Sequence, residues 1–306
     1  MMPDMPPPAF AEADYVGEFI VREIETADGP RRYKLFIPPG YSKAKPAPLL
    51  VVLHGCTQDA DDISRGTRFN EVAGGKGFLV AYPEQAQKFN GLKCWNWFDA
   101  AHQSRDKGEP ALIASISQRV MHDYSVDAKR VYIAGVSAGA AMALTTAYAY
   151  PESFVAAGVH SGIAYAAVTS IANALVAMHS GAPDQGSLGS AVVKAFGSAR
   201  HFPAIVFQGN ADKSVNWVNS SQIVWQLLQS YAPENLTKLG VTPGEAGEYH
   251  FTKTTYGVKN PLIEEWIVDE LGHAWSGGSK NGTYTDASGP DASSEMVRFF
   301  LEHPRG

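Results

Sequence analysis

Residues 130–139 read RVYIAGVSAG and join a short apolar run to a segment of small residues that extends to Tyr150. The apolar run Arg130–Val136 predicts a strand, and Ala140–Tyr150 predicts a helix. Between them stands Gly135-Val136-Ser137-Ala138-Gly139. A nucleophilic serine needs this strand–turn–helix setting, in which flanking glycines let strand and helix approach closely. The segment therefore predicts that Ser137 is a nucleophile on a sharp turn.

The rest of the chain alternates between predicted strands and predicted helices. The strands are expected at Tyr15–Glu25 and Arg31–Pro38 as an antiparallel pair, and at Pro48–His54, Gly77–Tyr82, Phe154–His160, 203–208 and 262–268. Helices are expected at about Asp61–Lys76, Glu109–Tyr124 and Ser293–His303. This alternation indicates an α/β fold with a mainly parallel central sheet flanked by helices, forming one domain over residues 15–306. The Pro-rich residues 1–14 are expected to be disordered.

One segment interrupts the alternation between strands. Residues 163–200 are rich in Ala, Ser and Gly. They predict a small helical excursion over the carboxyl edge of the sheet, which makes them a candidate cap or pocket wall. An ordinary long crossover with two helices fits the same composition equally well.

Composition restricts the class of protein. With 306 residues, 45% apolar and 18% charged, the chain is typical of a globular domain. A net charge of −6 argues against nucleic acid or an anionic membrane as partner. No apolar stretch is long enough to span a bilayer. The first ten residues lack the features of a secretory signal, so an intracellular protein and a chain without its leader both stay open.

The two cysteines, Cys56 and Cys94, are too few for a disulfide-rich scaffold and wrongly spaced for a zinc site. Either a bridge between them or two buried thiols fits the sequence. A bridge would imply an oxidising compartment.

A serine nucleophile needs a base and a group that orients the base. His273 follows a predicted strand in the Gly-rich stretch GHAWSGG, so we expect it to be the base among the 9 histidines. Asp212 follows the strand 203–208, at its carboxyl end, and is expected to orient His273. The rival Asp269 ends the histidine's own strand and would have to fold back.

The oxyanion of the reaction needs two backbone N–H donors. One is expected from Ala138, the residue after the nucleophile. The other is expected from Cys56, because His54-Gly55-Cys56 forms the turn after the first buried strand. The chain order is then oxyanion loop, serine, aspartate, histidine.

Four tryptophans lie close to these loops in sequence: Trp95, Trp97, Trp217 and Trp275. Tryptophans usually belong to the core. Four at loops of one sheet edge nevertheless predict a hydrophobic groove for a weakly polar substrate. No motif indicates a cofactor. The acidic group Asp59, Asp61 and Asp62 opens a predicted helix, where acids favour the helix dipole, so no metal site is predicted there.

Six segments of the chain resemble one known family. They are LHGCTQ (53–58), YPEQ (82–85), CWNWF (94–98), GVSAGAAM (135–142), QGNADKSV (208–215) and GHAWSGG (272–278). The set resembles the poly(3-hydroxybutyrate) depolymerase-like esterases of the α/β-hydrolase superfamily.

The resemblance implies an α/β-hydrolase fold, Ser137 as nucleophile, His273 as base, Asp212 as its orienting acid and Cys56 in the oxyanion hole. It also implies a Cys56–Cys94 disulfide and contacts of Trp95 or Trp97 with substrate. Polymer-degrading members typically carry a further substrate-binding domain, whereas this chain stops at Gly306. The expected location is extracellular or periplasmic, with the cytoplasm as the alternative.

The sequence thus predicts a serine ester hydrolase without cofactor or metal, acting through an acyl-enzyme. The expected substrate is a short-chain hydroxyalkanoate polyester or its oligomers. A feruloyl or acetylxylan esterase would use the same mechanism on plant-polysaccharide esters. A non-catalytic polymer-binding protein and a peptidase are the alternatives from other classes.

Overall fold

The computed structural model describes residues 16–198, 200–231 and 236–306, and ten of its strands join into one sheet. These are β1 (Glu18–Ile24), β2 (Arg31–Ile37), β3 (Ala47–Leu53), β4 (Leu79–Pro83), β5 (Val126–Val136), β6 (Ala156–His160), β7 (Ala204–Gly209), β8 (Thr237–Ala246), β9 (Tyr249–Gly257) and β10 (Pro261–Val268). Two further short strands, β11 (Trp275–Ser276) and β12 (Thr285–Asp286), pair with each other in parallel.

Helices cover both faces of this sheet. They are α1 (Ala60–Thr67), α2 (Phe69–Gly74), α3 (Gly108–Asp123), α4 (Ala138–Ala149), α5 (Ile171–Ser180), α6 (Gln185–Phe196), α7 (Val218–Ser230) and α8 (Ala292–Glu302). One core cluster includes α3 and α4, and a second includes α1, α2 and α8. The predicted α/β fold is confirmed. None of the described helices is long and apolar enough to cross a membrane.

The sheet order is β1-β2-β4-β3-β5-β6-β7-β10-β9-β8, and its six central strands from β4 to β10 run parallel. Every residue of β3 (APLLVVL) is buried, as expected for a strand covered on both faces. The predicted antiparallel pair β1–β2 is confirmed. The expectation of disorder for residues 1–14 lies outside the described residues.

Two elements differ from the prediction. The helix expected at about 61–76 is divided in two, because Arg68 takes a left-handed conformation (φ 60°, ψ 21°) between α1 and α2. The β8–β9 hairpin and helix α7 were not predicted. Strand β8 is largely exposed and contains glycine and proline, so its sequence lacks the apolar alternation of a half-buried strand.

The 163–200 segment contains the two helices α5 and α6, and it is held down by helix α7. Gln222 accepts a hydrogen bond from Ala182 N (2.7 Å), and Gln226 accepts one from Tyr165 N (2.8 Å). Gln226 also donates to Leu188 O at 3.0 Å. These glutamines are buried on α7, and their polar side chains explain why α7 lacks a simple apolar stripe.

Candidate active site

Ser137 follows β5 directly and stands on a strained turn, with φ 56° and ψ −122°. The two glycines of the motif permit this turn. A Cβ on Gly135 would lie 2.5 Å from backbone atoms of Gly139, and one on Gly139 would lie 2.2 Å from Leu53 O. Helix α4 therefore begins in backbone contact with β5 and β3. The turn fixes Ser137 at the carboxyl edge of the sheet, as a nucleophile elbow requires.

Asp212 and His273 follow β7 and β10, which are neighbours in the sheet. His273 Nδ1 lies 2.7 Å from Asp212 Oδ2. A Cβ on Gly209 would lie 2.1 Å from Leu271 O, so the two loops pack backbone against backbone. Because a carboxylate accepts the Nδ1 proton, Nε2 is left as the basic nitrogen of the imidazole. The side chain of His273 is 16% exposed, whereas that of Asp212 is fully buried.

Asp212 is held as a carboxylate. Burial works against the charge, but the hydrogen bond from His273 and the charge of that imidazole lower the pKa of Asp212 below its usual value. The N–H groups of Val215 (2.8 Å) and Ser214 (2.9 Å) donate to Oδ1 and act in the same direction. The rival Asp269 instead accepts a hydrogen bond from Asn210 at 2.7 Å.

Of the expected oxyanion donors, Cys56 lines one pocket with Ser137, and Ala138 follows Ser137 directly. Ala138 is the first residue of α4, so its N–H has no partner within the helix. On the other side, the carbonyl of Gly55 accepts from the buried His54 Nδ1 at 2.7 Å. C=O and N–H point in opposite directions in a trans peptide. The N–H of Cys56 is therefore directed opposite to the hydrogen bond of the Gly55 carbonyl, and Cys56 lines the same pocket as Ser137.

Two buried histidines near the site are structural groups. Gln85 N donates to His54 Nε2 at 3.0 Å, and Ser276 N donates to His160 Nε2 at 3.0 Å. Burial lowers the pKa of His54 to about 4. Burial, together with the charge of His273, lowers the pKa of His160 to about 3. Both rings are therefore neutral at pH 7, with Nδ1 as the donor.

Ser137 and His273 line one open pocket of about 180 Å³. Three further walls are apolar or aromatic: Val136 from β5, Met178 from α5 and Tyr284 beside β12. The Tyr284 ring stands edge-on to the His273 ring at 6.3 Å between centroids. Sequence reasoning missed Met178 and Tyr284, because neither belongs to a motif. The remaining described residues that line the pocket are Gly55, Cys56, Gln58 and Ser214.

The four tryptophans of the predicted groove differ in exposure. Trp95 and Trp97 are buried in the core, and Trp275 is buried with its Nε1 donating to Ser293 Oγ at 3.1 Å. Trp275 also stacks on His160 at 4.8 Å between centroids. Substrate contact by these three residues stays a prediction, which the burial of their rings does not favour. Trp217 is 48% exposed but does not line the pocket.

The Cys56–Cys94 disulfide is present, with 4.2 Å between the two Cα atoms. It ties the loop that carries Cys56 to the CWNWF segment. Thr57 N also donates to Leu92 O at 2.7 Å, so two links hold these loops together.

A larger cleft of about 720 Å³ lies between the β1–β2 turn and α3. Its buried carboxylate, Glu109, accepts hydrogen bonds from the backbone N–H (2.7 Å) and the side chain (2.6 Å) of Asn96, and another from Gln85. These bonds anchor the YPEQ and CWNWF segments, so Glu109 has a structural role. In the described part of the chain, no group of three or more His, Cys, Asp or Glu side chains is arranged to hold a metal ion.

Comparison with known proteins identifies the family of this chain. The family model described as Esterase PHB depolymerase matches residues 31–238. Poly(3-hydroxyalkanoate) depolymerase C of Paucimonas lemoignei is 29% identical over 74% of this chain and 55% of its own length. Feruloyl esterase B of Neurospora crassa is 36% identical over 42% of this chain and 44% of its own length. The matches thus span about half of the length of these relatives.

Solved structures share the fold. The acetyl xylan esterase from Aspergillus awamori superposes with a TM-score of 0.72 at 17% identity, over 92% of this chain and 99% of that one. An S-formylglutathione hydrolase from Agrobacterium tumefaciens gives a TM-score of 0.57 at 14% identity, over 96% and 98%. These likenesses establish an α/β-hydrolase fold. The family match covers more than half of the chain, and the protein therefore belongs to the Esterase PHB depolymerase family of carboxylic ester hydrolases.

Proposed function

We propose that this protein hydrolyses short-chain hydroxyalkanoate polyester, or oligomers of it, through an acyl-enzyme on Ser137. One observation carries the proposal: His273, hydrogen-bonded to Asp212, lines one pocket with Ser137. An Asp-oriented imidazole next to a serine on a strained turn is the arrangement that activates a hydroxyl nucleophile.

In the first step, His273 Nε2 takes the proton of Ser137 Oγ while Oγ forms a bond to the ester carbonyl carbon. The N–H groups of Cys56 and Ala138 stabilise the oxyanion. The C–O bond to the leaving alkoxide then breaks, and the alkoxide takes the proton from His273. In the second step, His273 takes a proton from a water molecule while the water oxygen forms a bond to the acyl carbon. The bond from that carbon to Ser137 Oγ then breaks, Oγ takes the proton back from His273, and the hydroxy acid leaves.

The pocket and its surroundings support a weakly polar substrate. Val136, Met178 and Tyr284 form apolar walls beside Ser137. Ile171 and Leu175 precede Met178 by seven and three positions, which is roughly two turns and one turn of α5. They lie on the same face of the helix and are 72% and 65% exposed. Exposed apolar side chains therefore extend from the pocket along α5, where a polyester segment would be accommodated.

Turnover assays separate polyester from carbohydrate esters. The substrates are 3-hydroxybutyrate trimer, amorphous polyhydroxybutyrate, methyl ferulate and acetylated xylan, each with the wild type and the Ser137→Ala variant. Release of hydroxybutyrate well above the other products, lost in Ser137→Ala, supports the proposal. Preferential release of ferulate or acetate would assign the feruloyl or acetylxylan branch, which the match to feruloyl esterase B favours.

The contribution of the α5 surface to polymer hydrolysis has its own test. Replacing Ile171 and Leu175 with serine should lower the rate on amorphous polymer about tenfold, because apolar area that would contact the polymer is lost. The rate on the soluble trimer should stay within twofold, because neither residue lines the pocket. Equal rates of the variant and the wild type on polymer would remove the surface from the proposal.

We also propose that the protein works in an extracellular or periplasmic compartment. The Cys56–Cys94 disulfide supports this location, because such bridges persist in oxidising surroundings. Thiol labelling of the protein taken directly from its native cells is the test. Two free thiols in that state would favour the cytoplasm.

A further inference from the structure

Asp62, in the first turn of α1, joins two segments of the pocket wall that are distant in sequence. Its Oδ2 accepts hydrogen bonds from Gln58 Nε2 at 2.8 Å and from the hydroxyl of Thr283. Its Oδ1 accepts one from Thr283 N at 2.9 Å. Gln58 belongs to the loop that carries Cys56, and Thr283 precedes Tyr284. One carboxylate therefore connects both loops.

The link reaches the oxyanion loop through Gln58. Because Asp62 and Thr283 O hold the amide NH₂ group of Gln58, its Oε1 faces Gly55 and accepts from Gly55 N at 2.8 Å. The carbonyl of the same glycine is held by His54 at 2.7 Å. Both polar groups of Gly55 are thus held, and the next N–H along the chain is that of Cys56.

Helix capping does not account for Asp62. The cap of α1 is Asp59, whose side chain accepts from Asp62 N. The third acid, Asp61, pairs with Lys34 at 2.6 Å on the other side of the helix start. The three acids therefore have different partners, and among them only Asp62 binds a residue that lines the pocket, Gln58.

We propose that Asp62 is a positioning residue for the oxyanion site. It orients Gln58, Gln58 holds Gly55, and the Gly55–Cys56 peptide keeps its N–H directed at the reacting carbonyl oxygen. The inference rests on the proposed serine mechanism. Asp62 transfers no proton and touches no substrate atom.

The test compares Asp62→Asn with Asp61→Asn, which makes the same change of charge one residue away. Both carboxylate oxygens of Asp62 accept hydrogen bonds, whereas the side chain of asparagine has a single oxygen. The substitution therefore breaks the connection either to Gln58 or to Thr283 N. Complete loss of an oxyanion donor costs about 10²–10³ in kcat. Misdirection of one donor by Asp62→Asn should therefore lower kcat about tenfold, with KM within about twofold. Asp61→Asn should retain wild-type kcat.

A thionoester substrate provides a second measurement, the ratio of the rates on the oxygen ester and on its thionoester analogue. This ratio would not change if Asp62 only stabilised the fold. Sulfur is a weak hydrogen-bond acceptor, so a well-aimed oxyanion site favours the oxygen ester over its thionoester analogue. Asp62→Asn should lower this rate ratio several-fold, and Asp61→Asn should leave it unchanged. Thr283→Val, which removes the hydroxyl donor and keeps the backbone one, should lower the ratio to a smaller extent.

Several outcomes would overturn the inference. One is an Asp62→Asn enzyme with wild-type kcat. Another is an Asp62→Asn enzyme that loses activity only in proportion to its loss of folded protein, with an unchanged ratio of oxygen-ester to thionoester rates. If Asp62→Asn does not fold, an unchanged ratio in Thr283→Val overturns the inference, and a lowered ratio supports it. Failure of the serine mechanism itself would be recognised separately, because Ser137→Ala would then retain activity and a fluorophosphonate would not label Ser137.

Discussion

His273 Nδ1 lies 2.7 Å from Asp212 Oδ2, although the two residues are 61 positions apart in the chain. The contact exists because β7 and β10 are adjacent parallel strands whose carboxyl ends meet at one edge of the sheet. The hairpin β8–β9 is inserted between them in sequence and packs outside β10. The sheet order, and not the sequence order, thus brings Asp212 and His273 together.

Replacing Asp212 with asparagine should lower kcat about 10³–10⁴-fold, because an amide stabilises the wrong tautomer of His273 and no longer compensates its charge. Steady-state hydrolysis of p-nitrophenyl butyrate measures the loss, and circular dichroism checks the fold. Asp269→Asn is the matched control and should stay within twofold of the wild type. A comparable loss in Asp269→Asn would show that the wrong acid has been assigned.

Removing the disulfide should affect both stability and turnover. The bridge closes a segment with a sequence separation of 38. On the chain-entropy model, its loss in Cys94→Ala lowers the free energy of unfolding by about 4 kcal/mol. Because the other end of the bridge is Cys56, kcat should fall more than KM rises. Guanidinium unfolding and ester hydrolysis are the measurements. Reductant should reproduce both effects in the wild type and change nothing further in Cys94→Ala.

Stability should fall as the pH falls below about 6.5. The pKa of His54 is about 4 and that of His160 about 3 in the folded protein, against an ordinary value of 6.5. Between these values the unfolded chain binds protons that the folded chain does not. Each histidine should therefore lower the free energy of unfolding by about 2 kcal/mol between about pH 8 and about pH 5. Urea unfolding at these two pH values measures the slope.

Substitution of one histidine isolates its share of this slope. His54→Gln should remove about half of the histidine-dependent fall, since glutamine cannot be protonated. His122→Gln is the control, because His122 is exposed beside Asp123 at the end of α3. An unchanged slope in His54→Gln would contradict the neutral, buried state of His54.

Tyr284→Ala should change the choice of substrate more than the chemistry. The ring lines the pocket and is half-exposed beside His273. Loss of its apolar contact, worth about 1.5 kcal/mol, should lower kcat/KM for 3-hydroxybutyrate trimer about tenfold. The value for p-nitrophenyl acetate, which is too short to reach the ring, should change by less than threefold. Tyr284→Phe tests the hydroxyl, which lies 3.5 Å from Thr57 Oγ1. An equal loss on both esters would assign Tyr284 a general structural role.

Much of the fold could be predicted from the sequence, because the central strands are short apolar runs with clear ends. The GVSAG segment could also be placed, because a strand–turn–helix junction of this kind brings backbones into contact. Only glycine fits at Gly135 and Gly139, where a Cβ would collide with backbone atoms. Candidate partners for Ser137 followed from a simple rule, namely that loops after parallel strands meet at one edge.

The tryptophans could not be placed in this way. A position close in sequence to a functional loop does not determine which side of the loop a ring faces. Burial of a large apolar ring is more favourable in free energy than its exposure to water. Trp95 and Trp275 accordingly pack in the core beneath the loops. Tyr284 was missed for the opposite reason, because its place at the pocket depends on the two-residue pairing of β11 with β12.

Met178 reaches the pocket from a stretch of chain inserted between β6 and β7, whereas Ser137, Asp212 and His273 are all attached to the sheet itself. The insertion is fastened to α7 by side-chain amides, and Asn216 N donates to Met178 O at 2.8 Å. One wall of the pocket is therefore encoded on a piece of the polypeptide that carries none of the three proposed catalytic residues. For enzyme engineering, we expect that exchanging helices α5 and α6 for the corresponding stretch of a relative alters acyl preference, provided that the contact between Asn216 and Met178 is kept.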